Sequence, residues 1–258
     1  MNPQEHDVIG LIPAAGRATR LGMLPCSKEL YPVGFQSGPT GAPKVVCHYL
    51  LDRMHAAGIT RAYIILRAGK WDIPAYFGDG TGFGMHLAYL LMGDPSGSPY
   101  SLDQAWPFVK PARIALGFPD ILFKPTDAYA RLLARQSRTG ADIVLGLFRA
   151  SRPQKCDMVE LDANAQVRGI VIKPPKTTLH YAWMIAVWGP AFTRFMHAYL
   201  AAVAHAQSTT ARELFMGDVM QAAIDSKLKV EAECFDDGWQ IDIGTPEELR
   251  EAIRRHPV

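Results

Sequence analysis

Three cations follow a run of small residues near the start of the chain. Arg17, Arg20 and Lys28 come after Ile12-Pro13-Ala14-Ala15-Gly16. Small residues let backbone N–H groups approach a phosphate closely, and arginine can grip phosphate oxygens with two hydrogen bonds. The spelling is neither G-x-G-x-x-G nor the P-loop pattern, which argues against a dinucleotide fold and a P-loop ATPase. The same residues also read as an Ala/Gly turn with solvated arginines. Asp120 ends the run Gly117-Phe118-Pro119, and Asp242 precedes Ile243-Gly244-Thr245-Pro246. Asp120 reads either as a turn residue or cap or as a ligand-side acid at the end of a core strand. Asp242 reads as a helix flank or as a site acid. Lys173, between Ile172 and Pro174, could be one surface lysine among many. Nothing has the look of a Ser/His or Cys/His nucleophile pair, and the eight histidines show no ligand spacing.

The surrounding patterns say what would position these groups. Val8–Ile12 is a buried strand ended by Pro13 and Gly16, and a Gly/Pro-rich polar stretch runs from Pro13 to Pro43. Val46, Tyr49, Leu50, Met54 and Ala57 mark a helix stopped by Gly58. Strands follow at Ala62–Leu66, near Met85–Leu90, at Arg113–Leu116 and at Asp142–Phe148. Helices fall around Trp71–Phe77 and over Asp127–Arg138. This alternation indicates βαβ units around a largely parallel sheet. After Phe148 come short strands near Met158–Leu161, Val167–Ile172 and Ala182–Val187, helices over Ala191–Ala206 and Arg212–Asp225, and a strand near Leu228–Phe235. A last helix opens with Thr245, Pro246 and Glu248 as a capping box. The fold class is α/β, a Rossmann-like mixed, mostly parallel central sheet flanked by helices. One domain over 1–258 is expected, with a mixed second half.

Composition excludes several classes. The 258 residues are 48% hydrophobic and 20% charged, with a formal net charge of +2. A chain of this length buries about three-quarters of its unfolded surface without a disulfide or metal. Charges are interspersed, so no polybasic arm for nucleic acid or anionic lipid is expected. No apolar run reaches the roughly 18 residues of a membrane span, and the polar start does not resemble a secretion signal. Cys26, Cys47, Cys156 and Cys234 are scattered, which speaks against zinc or a redox dithiol. A cytoplasmic protein is expected.

Five motifs in order resemble the sugar-1-phosphate nucleotidylyltransferases, the nucleoside-diphosphate-sugar pyrophosphorylases. They are Ala14–Arg20 with Lys28-Glu29-Leu30-Tyr31-Pro32-Val33, Tyr76–Gly80, Leu116–Ile121, Ile172-Lys173-Pro174 and Trp239–Ala252. The Pro-Ala-Ala-Gly and Lys-Glu spellings are closest to bacterial glucose-1-phosphate uridylyltransferases. The resemblance implies the nucleotide-diphospho-sugar transferase fold, with 1–150 as a nucleotide-binding half and 151–258 as an acceptor-binding half. It also implies attack of a phosphomonoester oxygen on the α-phosphorus of a nucleoside triphosphate, with release of pyrophosphate. Arg20 and Lys28 resemble the groups on the triphosphate, and Asp120 and Asp242 the carboxylates that carry Mg²⁺, a hard cation suited to such a pair. Ala14, Ala15, Gly16, Arg17, Met92 and Gly97 fall at nucleotide-binding positions. Lys173, Asp157 and Ile172 fall at acceptor-binding positions. The expected partners are a nucleoside triphosphate and a phosphorylated small molecule, with no nucleic acid or membrane; relatives often form homo-oligomers.

Four positions depart from the family pattern. Ala18 replaces a glycine, Met92 a glutamine that reads the base edge, Asp157 a glycine beside the sugar, and Ile172 a glutamate that bonds sugar hydroxyls. Methionine cannot form that paired hydrogen bond, and losing the glutamate removes polar recognition that is hard to replace. These changes suggest an altered acceptor, an unusual sugar phosphate or a non-sugar phosphomonoester such as phosphocholine. The alternative is a nucleotide- or sugar-sensing module that keeps the fold without turnover.

Overall fold

Strand β1 (Val8–Pro13) anchors the sheet because all four of its central residues are buried, as both-face coverage in a parallel sheet requires. The computed structural model describes residues 7–36, 41–93, 97–162, 166–206 and 213–255. After β1 come β2 (Pro32–Phe35), β3 (Pro43–Val45), α1 (Val46–Ala56), β4 (Arg61–Arg67), α2 (Asp72–Phe77) and β5 (His86–Met92). Then follow α3 (Ser98–Asp103), α4 (Trp106–Val109), β6 (Arg113–Leu116), β7 (Ile121–Lys124), α5 (Ala128–Thr139) and β8 (Ile143–Arg149). The remainder is β9 (Asp157–Leu161), β10 (Val167–Ile172), β11 (Tyr181–Trp188), α6 (Pro190–Ala206), α7 (Met216–Asp225), β12 (Val230–Cys234), β13 (Trp239–Asp242) and α8 (Pro246–Arg255).

The main sheet runs β10-β9-β11-β6-β1-β4-β5, and β8 joins β11 to β12. Strands β6, β1, β4 and β5 are parallel, as are β8 and β12, while β11 lies antiparallel to β6, β8 and β9. One face packs Leu50, Met54, Phe123 and Tyr129 from the α1 and α5 side against Ile12, Ile64 and Phe148. The other packs Phe192, Met196 and Val219 of α6 and α7 against Leu11, Ile65 and Leu116. A smaller cluster of Val33, Val46, Leu122, Ile241 and Leu249 lies beneath a separate two-stranded ladder, β7–β13.

Several stretches differ from the sequence reading. The Gly/Pro-rich stretch contains the β2–β3 hairpin, and α3 and α4 occupy chain that had no assigned element. The ladder strands β7 and β13 are four residues each, too short for an alternating pattern to stand out. The helix expected from Arg212 begins at Met216. Arg212 lies outside the described residues, but the start signal is visible: the Phe215 backbone N–H donates to Asp218 at 2.9 Å, the reciprocal half of a cap. At α8 the expected cap is present, since Glu248 N–H donates to the Thr245 hydroxyl oxygen at 3.4 Å and that hydroxyl donates to Glu248 at 2.9 Å.

Candidate active site

The turn leaving β1 is held down at its start. Ala14 N–H donates to Ile65 O at 2.8 Å, and Ala14 and Ala15 are buried. The chain then rises through Gly16, Arg17 and Ala18 into a short 3₁₀ turn at Thr19–Leu21. Ala18 has φ 54° and ψ 27°, a left-handed conformation that costs a non-glycine residue about 1–2 kcal/mol. The family glycine here has a conformational reason, and the alanine carries the cost.

The two acids meet because β13 pairs antiparallel with β7. Asp242 lies opposite Ile121, and Ile243 N–H donates to the Asp120 carbonyl at 3.0 Å. Residues remote in sequence are thereby fixed at one end of a short ladder. Gly117 makes the approach to Asp120 possible, since a Cβ there would come within 2.4 Å of both Leu50 and Tyr129. Gly244 does the same behind Asp242: a Cβ would meet Arg20 Nη2 at 2.8 Å and Asp242 Oδ1 at 3.1 Å. Arg20 and Asp242 therefore share the space that this glycine leaves.

Lys28 donates to Asp120 Oδ2. Burial works against the lysine's charge, but Asp120, aided by Glu29 and Asp242, holds its pKa above the ordinary lysine range. Burial also works against Asp120, where Lys28 prevails and the pKa is lowered. Asp242 has no such cation in contact. Burial first, and then the charge of Asp120, push it up to about 7. Its Oδ1 is buried without a hydrogen-bond partner among the described residues. Two part-buried carboxylates, one carrying an orphaned oxygen, form a donor set that fits a divalent cation able to take further oxygens from phosphate and water. No cluster of three or more metal-ligating side chains occurs among the described residues, so such an ion would depend on substrate for the rest of its shell.

Beneath this pair lies a second one that the sequence reading missed. Lys70 Nζ donates to Glu29 at 2.6 Å, with the two residues 4% and 1% exposed. Burial raises the Glu29 pKa despite Lys70 and lowers that of Lys70 despite Glu29. The spelling Lys-Glu at 28–29 pointed to the site, but nothing in the sequence linked Glu29 to residue 70.

A cleft of about 500 Å³ gathers Arg20, Asp157, Lys173 and Asp242 with Phe118, Trp183 and Phe215. Lys173, at φ 41°, places Nζ 3.5 Å from the centroid of the Phe215 ring. Ile172 pairs with Asp157 across β10 and β9, and both press on the first turn of α7. A Cβ on Gly217 would come within 2.5 Å of Ile172 Cδ1 and 2.6 Å of Asp157 Oδ2. Trp183 is a wall of the cleft, and its buried Nε1 has no partner among the described residues. A second cavity of about 350 Å³ is bounded by Gly16, Arg17, Ala18, Lys28 and Arg67. Met92, Gly97 and Ile172 line neither space. Met92 ends β5 beside Arg67, and Gly97, at φ 121°, packs so tightly on Leu214 that a Cβ would lie 2.3 Å from its carbonyl.

A phosphate-type turn at the head of a parallel sheet, with two acids beside it, marks a nucleotide-handling α/β protein. The family model for nucleotidyl transferases matches residues 9–257, and the chain belongs to that family. A low-salt glycan biosynthesis nucleotidyltransferase from Haloferax volcanii is 25% identical over 248 residues, covering 94% of this chain and 64% of that protein. A glucose-1-phosphate thymidylyltransferase from Streptomyces griseus is 27% identical over 253 residues, covering 95% and 64%. The chain thus spans less than two-thirds of these relatives. A Bacillus anthracis crystal structure, provisionally described as a glucose-1-phosphate thymidylyltransferase, superposes with a TM-score of 0.81 at 19% identity, covering 96% of this chain and 94% of its own. It shares the fold. No described helix is long and apolar enough to cross a membrane.

Proposed function

We propose that the chain joins a nucleoside triphosphate to a sugar 1-phosphate or related phosphomonoester, releasing pyrophosphate. Family membership supports the class of reaction, and the convergence of Asp120, Asp242, Arg20 and Lys28 carries the reading. The names of the relatives suggest a thymidine nucleotide and glucose 1-phosphate as the first substrates to try. In the reaction an acceptor phosphate oxygen bonds to the α-phosphorus as the bond to the bridging oxygen breaks, and the electron pair leaves on pyrophosphate. The nucleophile already carries negative charge, so no protein base is needed; the work is alignment and charge neutralisation.

Residues 1–150 hold the nucleotide in this reading, and 151–258 supply the acceptor wall and Asp242. Arg20 and Lys28 face the triphosphate, Lys173 receives the acceptor's phosphate, and Asp157 and Trp183 bound its remainder. Asp120 and Asp242 hold Mg²⁺, which supplies positive charge against phosphate oxygens. A panel of triphosphates crossed with phosphorylated acceptors, read by pyrophosphate formation, tests the proposal. Product is expected only when both substrates and Mg²⁺ are present. Silence across the whole panel would overturn it.

A further inference from the structure

Where the 500 Å³ cleft meets the start of α7, its lining is aromatic and thioether. Phe118 and Trp183 have ring centroids 5.9 Å apart, and Met184, Phe215 and Met216 line the same space. One carboxylate enters this surface. Ala182 lies opposite Met158 across β11 and β9, which makes Trp183 and Asp157 neighbours on the two strands. Groups that could read sugar hydroxyls are closed off. Trp183 Nε1 and Gln240 Oε1 are fully buried, and Ile172 packs behind Asp157 against Gly217. Along the α8 rim the charges answer one another, Arg152 and Lys155 with Glu248 and Arg255 with Glu251. The aromatic part already holds a cation, since Lys173 Nζ rests 3.5 Å from the Phe215 centroid. Cys156, which lines the same cleft, reports the sign of the field. Burial, then Asp157, Asp242 and Glu248, push its thiol up to about 11 against the opposing pull of Lys173.

The chemistry of that lining selects among phosphorylated acceptors. A polyhydroxylated ring would bury hydroxyls against aromatic and thioether surface, an uncompensated cost. A primary ammonium brings three N–H donors to a wall with one carboxylate. An alkylated ammonium has no donor to satisfy. Its charge is attracted by ring faces and by Asp157, and its methyl groups fill apolar space. We infer that the acceptor is a phosphomonoester bearing a quaternary ammonium, with its phosphate on Lys173 and its cationic head between Phe118, Trp183 and Asp157. The inference rests on the proposed reaction and names the class of its second substrate. The head takes no part in bond making; the acceptor's phosphate oxygen still attacks, and pyrophosphate still leaves.

A pair of probes of one shape isolates the charge. Phosphocholine and 3,3-dimethylbutyl phosphate differ by carbon in place of the charged nitrogen, and cation–ring attraction acts on the first alone. Both are titrated by calorimetry into the full chain with Mg²⁺, alone and beside α,β-methylene analogues of the common nucleoside triphosphates. Phosphoethanolamine and glucose 1-phosphate serve as the primary-amine and sugar arms. Phosphocholine should bind about 10-fold or more tightly than any of the other three. Asp157→Asn and Phe118→Leu should each weaken phosphocholine by about 10-fold and leave the neutral isostere unchanged. Parity between phosphocholine and its isostere, a preference for either of the other arms, or no phosphocholine binding in any condition would overturn the assignment. So would a preference that survives undiminished in both variants when they melt like the parent. The comparison on the parent protein decides even if a variant fails to fold. Tight phosphocholine binding without pyrophosphate formation from any triphosphate would sink the proposed reaction and keep the ligand class; turnover of sugar phosphates alone would do the reverse.

Discussion

The side proposed for the nucleotide and the wall proposed for the acceptor are built on different plans. On the nucleotide side, charge is layered. Lys28 meets Asp120, Glu29 meets Lys70 behind it, and Asp242 stands close with an unsatisfied oxygen. Each group sits on a strand end or a turn pinned by backbone hydrogen bonds, so its position follows from the sheet. The acceptor wall has a lysine over an aromatic ring, one carboxylate, and apolar surface from Phe118, Trp183 and Phe215. Side chains set its character, and they can change without moving the backbone. The departures fall on both sides: Ala18 is on the turn and Met92 at the end of β5, while Asp157 lines the wall and Ile172 packs behind it against α7; the acids and cations keep the family spelling.

Removing an acid is the severest way to break this contrast. Asp120→Asn or Asp242→Asn should lower turnover about 10³-fold, the scale of losing a main electrostatic contact in the transition state. The two should differ in stability. Asp242→Asn removes a buried, unpaired charge and should raise the melting temperature without Mg²⁺, whereas Asp120→Asn strands Lys28 and should lower it. Scanning calorimetry with and without Mg²⁺ separates them, and a Mg²⁺-induced rise that persists in Asp242→Asn would remove that residue from the ion site.

Next in size is the buried layer. Lys70→Met leaves Glu29 buried and unpaired and should cost about 3–5 kcal/mol, measured by urea denaturation. Adding Glu29→Gln should recover most of the loss. If the single variant is as stable as the parent, the layered arrangement is not structural.

A smaller effect would sharpen the other half of the comparison. Asp157→Gly restores the family residue at a position that lines the wall and should change the ranking of phosphorylated acceptors by about 10-fold. KM for the triphosphate should stay put; if it moves in step with the acceptor's, the wall is not separable. Smallest is Ala18→Gly, which relieves the left-handed strain and should stabilise the chain by about 1 kcal/mol. The urea midpoint reads it out.

The sequence revealed the parts of the site that are contiguous. The small-residue turn, the strand-end acid and the cap at Thr245 each carry a local signal, and the strand–helix alternation was enough for the α/β class. What brings the parts together was not legible. The β7–β13 ladder joins two four-residue strands with no period of their own, and its register depends on pairing across the chain. The link from Glu29 to Lys70 is likewise a product of tertiary contact. Position alone nominates Met92, whose side chain packs with the core residues behind β5.

The ladder also bears on how the protein is made. On the proposed reaction, a growing polypeptide that has exposed its turn, its cations and Asp120 still lacks the strand that delivers Asp242. Domains tend to fold as units as they emerge; in that reading turnover waits for residues 239–242, and truncation ahead of them leaves the turn and its cations without the second acid.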